Sequence, residues 1–158
     1  MSLRPWRFAA LSVAALSLGP SFAHVLEAPP RLTVWPPELW RDATVFHGQF
    51  ALFASVGGVL DVAAVVLLAL LAFVSREERP AFAWALAAAI LYAAALSAWF
   101  AMVAPVNAVL ATWKPGPIPA DFEQVRRHWE AGHMVVAALK AAGFAAALGS
   151  GLSAPRPA

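Results

Sequence analysis

Apolar runs of about 20 residues recur along this chain, and each is long enough to cross a bilayer. Hydrocarbon offers no partners to free backbone N–H and C=O groups, so a spanning segment must be a helix or part of a closed barrel. The period-two alternation of a barrel is absent. The sequence therefore predicts an all-α integral membrane protein, an up-down-up-down four-helix bundle. The spans fall at about 8–27, 46–74, 81–104 and 129–152. Composition agrees: the chain is 61% hydrophobic and only 13% charged, about half the charge of a soluble domain. Its 158 residues suit a single transmembrane domain over 1–158, with 153–158 (SAPRPA) a frayed tail.

The connection 75–80 (SREERP) is short and charged, whereas 28–45 and 106–128 are longer, rich in Pro and Trp, and lie on the opposite side. Pro80 suits the first turn of span three, where its missing N–H is an orphan anyway, and Pro105 is expected to end that span. Gly57, Gly58, Gly143 and Gly149 are expected to be close-packing points between helices. The Arg and Lys count ties at five on each side. The basic first flank (MSLRPWR) then decides, placing both termini in the cytoplasm of a bacterial inner membrane. Trp35, Trp40, Trp113 and Trp129 would form an interfacial belt. The first segment also reads as a signal peptide, with Arg4 and Arg7 before an apolar stretch and Ser21-Phe22-Ala23 as a cleavage site. Cleavage after Ala23 would leave three spans with His24 at the terminus.

Cys is absent, which removes disulfides, thiolate metal sites and thiol nucleophiles. The net charge is only +2 and its charges are scattered, so no nucleic-acid footprint is present.

The residues that could carry chemistry lie near the ends of spans one and four. His24-x-x-Glu27 closes the first and Glu130-x-x-His133 opens the last. Residues three apart share a helix face. In antiparallel helices the mirrored order puts the two His at one depth and the two Glu at another, about 4.5 Å nearer water. Ionisable residues at membrane depth are functional candidates. His24, Glu27, Glu130 and His133 could act as acid–base groups. They could instead hold one divalent metal, Fe, Cu, Zn or Mn, in a mononuclear site. The pattern is similar to the Glu-x-x-His pairs of di-metal bundles, but spans two and three supply no further carboxylates at this level. The competing reading is structural: capping or interfacial ion pairing with Arg31, Arg126 or Arg127.

Two charges lie deeper. Asp61 is eleven residues beyond Phe50 and Lys140 eleven beyond Trp129, about 16 Å of helix in each case. The equal offsets predict an Asp61–Lys140 contact that locks helix register. Pro20 should kink span one or end it early.

Two segments carry a family resemblance. Residues 23–32 read AHVLEAPPRL, and residues 107–133 read NAVLATWKPGPIPADFEQVRRHWEAGH. The first resembles a His-x-x-Glu-x-Pro-x-Lys signature, with Arg31 at the Lys position. The second resembles a signature of Asn, Trp, Pro-Asp, an Arg pair and Trp-Glu-x-x-His. Together they resemble the anthrone-oxygenase-like family of small four-span membrane proteins. The resemblance implies four retained helices. It matches His24, Glu27, Asn107, Trp113, Arg127, Trp129, Glu130 and His133 to signature positions. It also implies an oxidation that uses molecular oxygen without an added organic cofactor.

The expectation is thus an oxidoreductase-like enzyme in the bilayer, acting on a small hydrophobic substrate. His24, His133, Glu27 and Glu130 would supply the chemistry, and Asn107, Trp113, Arg127 and Trp129 would hold the substrate. The alternatives are a non-enzymatic bundle that escorts a protein partner, and a signal-cleaved three-span metal binder.

Overall fold

The computed structural model describes residues 3–48 and 50–153. It is an all-α membrane bundle with four helices long and apolar enough to span a bilayer. In chain order the elements are α1 (Arg4–Thr33), α2 (Pro37–Arg41), a π-helical turn (Asp42–Phe46), α3 (Ala51–Val74), α4 (Arg79–Ala98), a second π turn (Trp99–Val103), α5 (Ala104–Leu110) and α6 (Phe122–Leu152). Large apolar side chains such as Leu16, Leu26, Val59 and Phe73 point outward, as a lipid-facing surface requires. Apart from Ser153, the expected frayed tail lies outside the described residues.

Each long helix buries a seam that repeats every seven residues. In α1 the buried positions are Ala10, Ala14, Ser17, Ser21, His24, Ala28 and Arg31. In α3 the inward seam runs through Gly57, Ala64, Leu68, Leu71 and Ser75, and in α4 through Ala81, Ala85, Ala88, Tyr92 and Ala95. Alternating steps of three and four residues keep one stripe facing the neighbouring helices along the whole length. Small residues on the seams bring the backbones close, which drives association where lipid removes the hydrophobic effect. A Cβ on Gly143 would stand 2.7 Å from the Tyr92 ring, and one on Gly149 2.9 Å from Trp84. These two glycines are the expected close contacts. Gly57 and Gly58 are not: a Cβ there meets nothing within 4 Å.

Three boundaries differ from expectation. The first helix runs unbroken through Pro20, Pro29 and Pro30 to Thr33. Neither Pro20 nor Glu27 ends it, because a neighbour-packed membrane helix tolerates the missing donors. Pro105 does not end the third span either. The π turn at Trp99–Val103 sits just ahead of it, and the helix resumes as α5. The wider turn adds one residue, so the next buried position after Ala95 is Val103, eight residues on rather than seven. The last span starts a full two turns before Trp129, at Phe122.

On the side of the long connections an aromatic cap closes the bundle. Trp40, Trp113, Phe122 and Trp129 pack with Leu110 and Val125 in one core. Trp40 is 0% exposed and Trp129 3%. The expected interfacial belt is therefore an internal core for these tryptophans, with Trp35 half-buried at its edge. Arg126 reaches Glu123 with two bonds of 3.0 and 2.8 Å. It also donates to the carbonyls of Arg31 and Trp35 at 3.3 and 3.4 Å. Carbonyls at a helix C-terminus lack intrahelical donors and attract a cation. On the other side of the membrane Arg7 pairs with Glu78.

Candidate functional site

A cavity of about 260 Å³ lies inside the bundle between α1, α3, α6 and the second π turn. Its two ends are polar and its middle is apolar. Both ends are set by the same two helices. His24 stands seven residues from Ser17 on α1, and His133 seven from Lys140 on α6. Seven residues are two turns, about 10 Å of helix, and return to the same stripe within roughly 20°.

At the upper end, nearer the long connections, the His24 and His133 rings stack with centroids 4.1 Å apart and planes at 19°. Trp129 closes on His133 at 4.2 Å and on His24 at 5.2 Å. Phe50 lies against the other ring contacts, 4.8 Å from His24. His24 is 5% exposed, and its buried Nδ1 has no hydrogen-bond partner among the described residues. Asn107 completes this end. Its Oδ1 accepts from Trp129 Nε1 at 2.9 Å. Indole N–H is a donor only, so the amide oxygen must face it, and the Asn107 NH₂ is left without that partner.

At the lower end Lys140 Nζ donates to Asp61 Oδ1 at 2.6 Å, Ser21 Oγ at 2.9 Å and the Ser17 carbonyl at 3.3 Å. Ser17 Oγ donates to the same Asp61 oxygen at 2.7 Å. The deep contact that the equal offsets predict is thus present. All three ammonium protons have acceptors, as a buried cation requires. One turn further from the cavity Tyr92 donates to the Ala14 carbonyl at 2.8 Å.

The carboxylates do not join the histidines. Glu130 is 1% exposed and faces Arg31 rather than His133. Its Oε1 accepts from Arg31 Nε at 2.7 Å and from Trp40 Nε1 at 2.8 Å. Arg31 is 0% exposed, bonds Thr44 at 2.9 Å, and sits 4.8–5.4 Å from the rings of Trp35, Trp40, Phe50 and Trp129. Cation–π attraction of this kind strengthens with desolvation. Glu27 is half-buried, off the α1 seam, and makes no hydrogen bond or ion pair among the described residues. Consequently no group of three or more His, Asp or Glu side chains converges on one metal position among the described residues. The four-ligand set His24, Glu27, Glu130 and His133 is not assembled.

Two of the expected substrate contacts also fall elsewhere. Trp113 packs on Phe122 in the aromatic cap and does not line the cavity. Arg127 is exposed, while its neighbour Arg126 is the buried one. Asn107 and Trp129 do line the cavity. The sequence reading missed Ser17, Ser21, Phe50 and the Gly57-Gly58 wall, and gave Arg31 no buried role. The seven-residue step from Ser17 through His24 to Arg31 is the signal that places two of them, Ser17 and Arg31, on the stripe of His24.

The fold and cavity define a class, a four-span membrane bundle with an internal, partly polar cavity. Comparison with known proteins gives no match: no family model, no curated protein and no solved structure is similar to this chain.

Proposed function

We propose that the protein is a membrane-embedded oxidoreductase of the anthrone-oxygenase-like kind, acting on a compact, flat, uncharged molecule in the bilayer of a bacterial inner membrane. The observation that carries this reading is the cavity joining the His24–His133 pair to Asn107 at one end and to Asp61–Lys140 at the other. Its volume lies near the lower limit of ligand pockets, about 300–1,000 Å³, which suits a fused-ring compound better than a lipid. Phe50, Trp129 and Trp99 give it aromatic walls.

In this reading an imidazole of the pair removes a proton from a CH₂ group that fused aromatic rings conjugate to a carbonyl across the ring, as in anthrone. A positioned base of this kind contributes about 10²–10⁴-fold. The Asn107 NH₂ donates to the enolate oxygen as charge develops there. Molecular oxygen is the oxidant and takes the electrons of the carbanion. One oxygen atom becomes the new carbonyl, and the other leaves with the two methylene hydrogens as water. Asp61 and Lys140 form a neutral polar floor that holds register and bounds the substrate. Both carboxylates first expected at the site, Glu27 and Glu130, stand outside this chemistry.

The test is oxygen uptake with anthrone by the protein in lipid nanodiscs, followed by the absorbance of the quinone product. His24→Ala and His133→Ala should each lower turnover about 10²-fold or more while leaving helicity and melting temperature near the native values. No turnover in the native protein, with both variants losing stability instead, would replace this reading by that of a non-enzymatic bundle.

A further inference from the structure

The cavity is closed at both ends and open at one flank. Above it the aromatic cap is sealed, with Trp40 at 0% and Trp129 at 3% exposure. Below it the Asp61–Lys140 cluster rests on the packed core of Leu68, Leu71 and Tyr92. The α4–α6 seam offers no slit, because Gly132 and Gly143 hold Val103 and Tyr92 in direct contact. The first three turns of α3 are different. Gly57 and Gly58 have no neighbour within 4 Å of a Cβ. Ala54, Gly58 and Val62, spaced four apart on α3, line the cavity and are also exposed. Across from them Phe100, in the second π turn, lines it too and is 63% exposed. Residues that face both cavity and exterior mark its mouth. This mouth lies within two membrane-spanning helices, so it faces hydrocarbon.

We infer that the cavity loads sideways from the bilayer, between α3 and the second π turn, with Val62 and Phe100 as the lips. Its occupant is an uncharged small molecule dissolved in the membrane. The four exposed mouth residues carry no side-chain hydrogen-bonding group. A charged solute on that path would have to give up its water to hydrocarbon with no polar group to replace it. A second, apolar groove on the other flank of α3, lined by Gly19, Ala23 and Val56, touches the cavity only through Pro20 and Phe53. This inference rests on the cavity being the ligand site proposed above, but its test needs no turnover.

The chain has no cysteine, so Gly57→Cys places a single thiol on the cavity wall in space that no atom occupies. In nanodiscs this thiol should react with a lipid-partitioning N-alkyl maleimide and resist a charged, membrane-impermeant one. Added Val62→Trp should slow the reaction about tenfold and Phe100→Ala should speed it, whereas Val56→Trp should leave it unchanged. A tenfold change corresponds to about 1.4 kcal/mol of barrier. Equal labelling by the charged reagent would overturn the inference in favour of aqueous entry. Slowing by Val56→Trp alone would overturn the assigned mouth. Absence of labelling by either reagent in folded protein would overturn lateral access altogether. Loss of turnover with anthrone leaves each of these results readable, so the two readings fail separately.

Discussion

Two glutamates that look equivalent in the sequence have opposite surroundings. Both stand three residues from a histidine, but three residues turn a helix by about 300°, leaving a 60° error in any shared face. Glu27 falls off the α1 seam, and Glu130 falls against Arg31. Removing Glu130 strands a fully buried guanidinium. Glu130→Ala should therefore lower stability by about 3–5 kcal/mol, whereas Glu27→Ala should stay within about 0.5 kcal/mol. Denaturant titration in detergent micelles reads both. The Asp61–Lys140 contact predicts coupling. Asp61→Asn leaves an ammonium without its counter-charge and should cost about 3 kcal/mol or more. The double variant with Lys140→Met should regain a good part of that loss, and strictly additive effects would sink the pairing. The contact was legible because equal offsets from two aromatic residues fix relative depth. The Glu130–Arg31 bond was legible only as one of several interfacial pairings with Arg31, Arg126 or Arg127; its full burial was not, because Arg31 lies beyond the expected end of the helix at Glu27.

At the scale of elements, the number and type of helices followed from span length and composition alone. Their ends did not. Pro20, Pro29, Pro30 and Pro105 all lie within helical segments, because packing against neighbours outweighs the local penalty that an isolated helix would feel. The π turn at Trp99–Val103 is invisible to a seven-residue pattern, since it is the one place where α4 and α5 depart from it. Glycine roles divide by what stands opposite. Gly143→Ala forces a methyl into the Tyr92 ring and should destabilise by about 1–3 kcal/mol. Gly57→Ala and Gly58→Ala meet open space and remove a helix-weakening residue. Each should be neutral or stabilising by up to about 1 kcal/mol. Thermal unfolding of the four proteins side by side checks the contrast; equal losses at all three positions would mean that α3 packs more tightly than described.

For the molecule as a whole, the bundle was readable because a bilayer leaves few choices of backbone. The cavity was not, because a void is made by residues that fail to touch, and Gly57-Gly58 carries no local mark of that. The two polar levels share their supports. Between them α1 and α6 are two stiff rods joined across the cavity by two rungs, the stacked imidazoles and, two turns away, the bond from Lys140 to the Ser17 carbonyl, and tied above it by the Arg31–Glu130 pair. Spreading the rods at one rung loads the other. A molecule wedged against the imidazoles would thus be felt as tension at Lys140 some 10 Å away, and a variant that loosened the lysine would let the imidazoles drift. Grip and register are a single mechanical variable in this frame, without any moving domain to link them.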